Sequence, residues 1–269
     1  MPSAQTDRFV HDHLPPADQW PEMRYDSPEL RVPEQFNVVQ ALFDRAFANG
    51  HADRPLFRSD ERTLSYAQAQ VEVNRIANAL TVELGLVPGN RVLLRGGNSV
   101  AMALAWLATV QAGLVAVATM PLLRAKELGA ILTKSQPSVA LCDAQLQDEL
   151  KTALAGDPGA ASTQLLVFNA GDTDAANSLE ALARRHGPTS TPCRTAATDI
   201  ARLIDHADVT LRANALPVGR AGLLGDDVIA RFRTIRRAHV HRTVHNIPVF
   251  SRHFVAMYGS PTREIFAIE

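Results

Sequence analysis

From Arg91 to Cys142 the chain reads RVLLRGGNSVAMALAWLATVQAGLVAVATMPLLRAKELGAILTKSQPSVALC. Three short apolar runs, Arg91-Val92-Leu93-Leu94, Val115 to Ala118 and Val139-Ala140-Leu141-Cys142, alternate with two longer segments that can be helical. Gly96-Gly97 makes a tight turn, Asn98 is placed to cap a helix to about Ala112, and Gly113 stops it. Pro121 then leads into a second helix over Ala125 to Lys134. The runs have no polar face, as expected of strands covered on both sides. Strands separated by helices of this length predict an α/β fold, with a mainly parallel sheet covered by helices.

The same alternation extends in both directions. Downstream, Asp143 is placed to cap a helix from Gln145 to Ala155, Gln164 to Phe168 forms another strand, and Asn177 opens a helix reaching Arg185. Upstream, Asn37 caps a helix through Asn49, whose apolar stripe is Val38, Leu42, Phe43 and Ala46. Pro55 to Arg58 and Thr63 to Ser65 are short strands. Ser65 and Gln68 form a capping box for a helix that runs to about Leu84 and ends at Gly85. The opening 35 residues hold six prolines and little periodicity, so residues 1–36 are expected to wrap the surface as an extended arm.

Of the 269 residues, 27 are basic and 28 acidic, which disfavours a dedicated nucleic-acid binder, since phosphate neutralisation needs a basic surplus. Two cysteines, Cys142 and Cys193, are too few for a disulfide scaffold, and the default setting is reducing and cytoplasmic. The opening MPSAQTDRFVHDHLPP lacks the pattern of a secretory signal. Gly96 to Leu123 is uncharged and long enough to span a bilayer, but Gln111-Ala112-Gly113 breaks it. A buried helix followed by a buried strand explains that break, and no membrane partner is expected.

Charge is uneven along the chain. Residues 1–201 hold 17 basic and 22 acidic residues, whereas residues 202–269 hold 10 basic, all Arg, and 6 acidic. Five of the nine histidines also lie in this last part. The shift marks a boundary near residue 200, dividing residues 37–200, an α/β subdomain, from residues 201–269, an Arg/His-rich tail. Within the tail, Gly219, Gly222 and Gly225 interrupt residues 202–230, and Ile229 to Val244 fits an exposed strand or a helix.

Few residues point to chemistry. Arg95-Gly96-Gly97-Asn98 joins a strand to a helix, where an anion can sit on free N–H groups. It lacks the dinucleotide fingerprint and the P-loop lysine, and a close-packed turn is the alternative. His239, His241, His245 and His253 have metal-like spacing, yet no nearby carboxylate or Cys joins them and Arg236, Arg237 and Arg242 would repel a cation. His11 and His13 fall in the arm and carry no expected role. No Gly-x-Ser-x-Gly nucleophile is present.

The arm FVHDHLPPADQWPE, the segment TLSYAQAQVEVNRIANAL and the run LGLVPGNRVLLRGGNSVAMALAWLATVQAGLVAVATMPLLRAKEL together resemble the N-terminal region of adenylate-forming (AMP-dependent) acid–CoA ligases. The similarity is greatest to the aromatic acid–CoA ligases of the 2-aminobenzoate–CoA ligase and benzoate–CoA ligase type, and covers about Thr6 to Ile200. The resemblance implies ATP, Mg²⁺ and coenzyme A as cofactors and an aromatic carboxylate as substrate. The carboxylate is first adenylated, which turns a poor leaving group into a good one, and then passes to the coenzyme A thiol. It also implies coenzyme A phosphate contacts at Arg124, with Lys126 second, although a surface Arg at a helix start is the alternative.

The family's Ser/Thr/Gly-rich phosphate loop, ending in Pro-Lys-Gly, should begin soon after Asp199-Ile200. The chain reads Ala201-Arg202-Leu203-Ile204-Asp205-His206-Ala207-Asp208 there instead. Tyr258-Gly259-Ser260-Pro261-Thr262-Arg263-Glu264 is similar to the family's Tyr-Gly-x-Thr-Glu motif, but Pro261 and Arg263 spoil the spacing. Members are about twice as long, so the mobile C-terminal domain is also expected to be missing. One expectation is therefore an N-terminal subdomain, truncated or frame-changed near residue 200 and inactive alone, with no catalytic residue or metal ligand of its own. A second is a non-catalytic binding protein that uses the basic tail. Either would leave apolar surface exposed and open to self-association.

Overall fold

A computed structural model describes residues 2–14, 32–160, 162–171, 176–204 and 216–217. Five parallel strands form its centre: β3 (Arg91–Arg95), β4 (Val115–Thr119), β5 (Val139–Asp143), β6 (Gln164–Phe168) and β7 (Ile200–Ile204). Their order is β6-β5-β3-β4-β7, and a two-residue strand, β8 (Leu216–Pro217), pairs antiparallel with β7. A separate antiparallel pair, β1 (Pro55–Arg58) and β2 (Thr63–Ser65), precedes them. The expected α/β class and parallel sheet are therefore observed.

The register explains why the strands are apolar throughout. Val92 and Leu94 of β3 are fully buried in one cluster, while Leu93 between them is fully buried in another. On the first face lie α2 (Val38–Ala48), α3 (Tyr66–Asn78), α4 (Val100–Gln111) and α7 (Leu179–Arg184). On the other lie α5 (Ala125–Ser135) and α6 (Gln147–Gly156). Removing each such side chain from water contributes roughly 1.5–3 kcal/mol, so both faces must be covered. The uncharged stretch from Gly96 to Leu123 divides into α4 and β4, and no helix among the described residues is long and apolar enough to cross a membrane.

Several ends differ from expectation. Ser99, not Asn98, caps α4 by accepting the Met102 N–H, and Ser178, not Asn177, caps α7 by accepting the Ala181 N–H. Each neighbouring pair offers two competent cap residues, and the extended backbone of the serine decides. Asp143 caps a three-residue turn, Ala144–Leu146, before α6 starts at Gln147. The helix after Ser65 continues past α3 as a wider π-turn over Ala79–Glu83. The capping box itself is present.

The arm is not simply extended. Phe9–Asp12 form one helical turn, α1, and Gln5 and Val10 are buried. Asn37 does more than cap α2: its amide donates to the carbonyls of Gln111 and Cys193, pinning α2 to the end of α4. β7 straddles the compositional boundary at residue 200. Ile229 to Val244 and the five tail histidines lie outside the described residues.

Candidate functional site

The strand order reverses direction between β3 and β5, because the chain leaves β3 towards β4 but leaves β5 towards β6. In open α/β sheets, ligands bind in the crevice outside the carboxyl ends of the strands at such a reversal. Here that rim consists of Arg95, the last residue of β3, and Gly96 to Ser99 after it, Asp143 at the end of β5 and Asn169 after β6.

Arg95 is 1% exposed and donates to the carbonyls of Met120, Pro121, Leu123 and Leu146. A buried guanidinium satisfied by four carbonyls clamps the β4–α5 connection to the turn before α6. Its donors are therefore directed at protein, not at a phosphate. Gly96 is packed as well. A Cβ on it would lie 2.8 Å from the Phe168 ring and 3.3 Å from the Met102 sulfur. The close-packed alternative for this turn is the one observed.

Polar capacity remains along the rim. The Asn169 amide donates to Asp143 Oδ2 at 2.8 Å and to Ser99 Oγ at 3.3 Å, from a left-handed backbone with φ 55°. Asn98 Oδ1 is buried without a hydrogen-bond partner among the described residues. These groups can orient a ligand, but no nucleophile–base pair stands among them. Burial pushes the Cys142 thiol up to about 12, which leaves it protonated and unreactive, and burial raises Cys193 as well. Asn169 has no motif in the sequence. Only its place just after an apolar strand could have drawn attention to it.

Arg124 and Lys126 stand at the start of α5, where the β4–α5 connection ends. Arg124 is exposed and reaches Glu149 Oε1 at 2.9 Å, while Glu149 Oε2 accepts the Ala125 N–H. The Arg124 guanidinium and that N–H hold the Glu149 carboxyl below its ordinary range. Glu127 accepts the Arg124 N–H at the start of α5. Lys126 is exposed on the first turn of α5. Both are thus surface cations, and Arg124 also joins α5 to α6. Among the described residues, no three His, Cys, Asp or Glu side chains cluster as a metal site would require.

His11 and His13 are engaged in packing the arm. His11 Nε2 lies 2.9 Å from Gln5 Oε1, and the His13 ring stacks on Phe9 with centroids 4.3 Å apart.

A family model for AMP-binding enzymes matches residues 43–204, well over half of the chain and nearly all of the two clusters just described. The chain belongs to the AMP-binding enzyme family. Benzoate–CoA ligase from Thauera aromatica is 28% identical over 119 residues, which is 44% of this chain and 23% of that protein. Among solved structures, a benzoate–CoA ligase from Burkholderia xenovorans LB400 superposes with a TM-score of 0.55 at 25% identity, over 62% of this chain and 32% of its own. An anthranilate–CoA ligase crystallised with anthranoyl-AMP gives 0.59 at 21% identity, over 66% and 33%, and shares the fold. The chain therefore spans under a quarter of that curated relative and about a third of those structures. Among the described residues, Arg95 is turned to four protein carbonyls and Gly96 is packed, so neither is directed at a triphosphate.

Proposed function

We propose that the stretch from about Thr6 to about Ile200 is the N-terminal lobe of an aromatic acid–CoA ligase, and that this polypeptide alone does not form an acyl-adenylate. The observation that carries the reading is the family match ending at Ile204, immediately followed by Asp205-His206-Ala207-Asp208 where a phosphate loop belongs. Adenylation needs cations and N–H groups around the triphosphate to offset its charge. At the carboxyl ends of the strands, the one guanidinium among the described residues, Arg95, is turned to protein carbonyls, and Gly96 is packed against Phe168 and Met102. ATP, Mg²⁺, coenzyme A and an aromatic carboxylate are the ligands of the whole reaction in this reading, and the cytoplasm is its setting.

Residues 1–36, 37–200 and 201–269 stand as arm, subdomain and tail. The tail follows from a change of reading frame near residue 200, for which its Arg and His content is the support. Arg124 and Lys126 are the residues whose charge and exposure suit a coenzyme A phosphate. What they do in this lobe is bind and orient; proton transfer falls to none of the described side chains.

The test is ATP–pyrophosphate exchange with benzoate and 2-aminobenzoate, run beside a full-length benzoate–CoA ligase. We expect exchange at the buffer level for this chain. Acid-dependent exchange above that level would overturn the reading. The coding sequence after the Ile200 codon tests the frame change separately: another frame should encode a Ser/Thr/Gly-rich loop ending in Pro-Lys-Gly.

A further inference from the structure

β7 has the weakest seat in the parallel sheet. It is registered with β4 through only Ala116–Arg202, Val117–Leu203 and Ala118–Ile204, and its other neighbour is the two-residue β8. Pairing with β4 begins only at Arg202, so Ile200 at the amino end of β7 has only β8 beside it in the sheet, and Asp199 just before it has no strand partner among the described residues.

The first dozen residues supply what is lacking. The Gln5 side chain, 5% exposed, donates from Nε2 to the Ile200 carbonyl at 2.6 Å and accepts the Ile200 N–H at Oε1. One amide thus satisfies both polar groups of that residue, as a neighbouring strand would. Asp199, fully buried, accepts the N–H groups of Ala4 and Ala196 through Oδ2. Two residues further on, the Asp7 carboxylate pairs with Arg91 at the start of β3 and accepts from the Asn90 amide at 2.7 Å. Phe9 lies against the Arg91 guanidinium, 4.3 Å from the ring centroid. Val10 fills the space between Val115 and Ile200.

Arg91 in turn donates to the carbonyls of Ser135 and Gln136 at the end of α5. The segment thereby joins β7 to β3 and α5, neither of which β7 touches through the sheet.

We infer that residues 4–10 are a clasp that locks β7 into the sheet from its amino end, so that β7 opens and closes with this segment and not with the rest of the sheet. Gly89 is built for it. Its φ is +94°, and a Cβ there would collide with the Asp7 carbonyl oxygen. Only glycine lets the clasp lie this close while Asp7 N–H bonds to the Pro88 carbonyl. Local opening of this kind is measured by amide hydrogen exchange, which reports separate units of one structure.

The test is hydrogen exchange by mass spectrometry on the full chain, comparing the wild type with Gln5→Ala, Asp7→Ala and Ser65→Ala. Ser65 caps α3 and lies outside the clasp, so it controls for general loss of stability. Both clasp variants should speed exchange in peptides covering 200–204 by about tenfold or more, while peptides covering 139–143 and 164–168 stay at wild-type rates. Protection at 200–204 that survives Gln5→Ala, or a rise spread evenly over all strands as in Ser65→Ala, would overturn the inference. Should Gln5→Ala not yield folded protein, Gln5→Glu keeps the size of the side chain but removes the donor to Ile200, and is judged by the same pattern.

Discussion

Arg202 is registered against Ala116, which is fully buried in the larger apolar cluster. Neighbours in register on parallel strands point to the same face, so an arginine sits where that cluster calls for an apolar side chain. It is half-buried, no ion pair or side-chain hydrogen bond compensates it among the described residues, and burial lowers its pKa. An unpaired charge taken from water is destabilising, and an apolar residue avoids that cost. Arg202→Leu should therefore stabilise the protein by about 1–2 kcal/mol, seen as a higher urea midpoint with unchanged slope. A lower midpoint would show that the guanidinium is not a net cost at this position. Position 202 lies two residues before the end of the family match.

At the scale of elements, the central strands and their helices were legible because apolar runs bounded by Gly, Pro and Asn carry their structure locally. Gly85 and Gly113 stop helices at φ +64° and +73°, as their positions implied. The arm was not legible. α1 is only four residues long, and what fixes it lies far along the chain, at Asn90, Arg91 and Ile200. The rim was equally hidden, since Asn169 meets Asp143 and Ser99 only through the sheet. The arm's attachment has a pH signature. Burial tends to raise the Asp7 pKa, but the Phe9 N–H, the Asn90 amide and Arg91 outweigh it and hold the carboxyl below its ordinary 3.8. A carboxyl depressed on folding contributes stability that is complete above its unfolded pKa and is lost as pH falls through the folded value. The stability difference between the wild type and Asp7→Asn should thus be constant at neutral pH and shrink below pH 3.8. Equal urea midpoints for the two proteins at pH 7 would show that the carboxylate contributes nothing.

For the molecule as a whole, the apolar clusters among the described residues draw on residues up to Leu203, and α2 to α7 cover both faces of the sheet. Burial of this kind is the main favourable contribution to folding, roughly proportional to the apolar area removed from water. The clasp closes the amino end of β7, so the one strand near the compositional boundary has its own attachment. A chain ended after Ile204 should then fold. Its thermal midpoint should lie within about 4 °C of the full chain, the shift that roughly 1 kcal/mol produces in a domain of this size. β8 gives the experiment its discrimination, because it pairs with Ile200 and Arg202 and is lost with the tail. If two residues of antiparallel pairing were what held β7, the shortened chain would lose protection at 200–204 first. If the clasp holds it, those amides keep their exchange rates, and only the additional loss of Gln5 frees them.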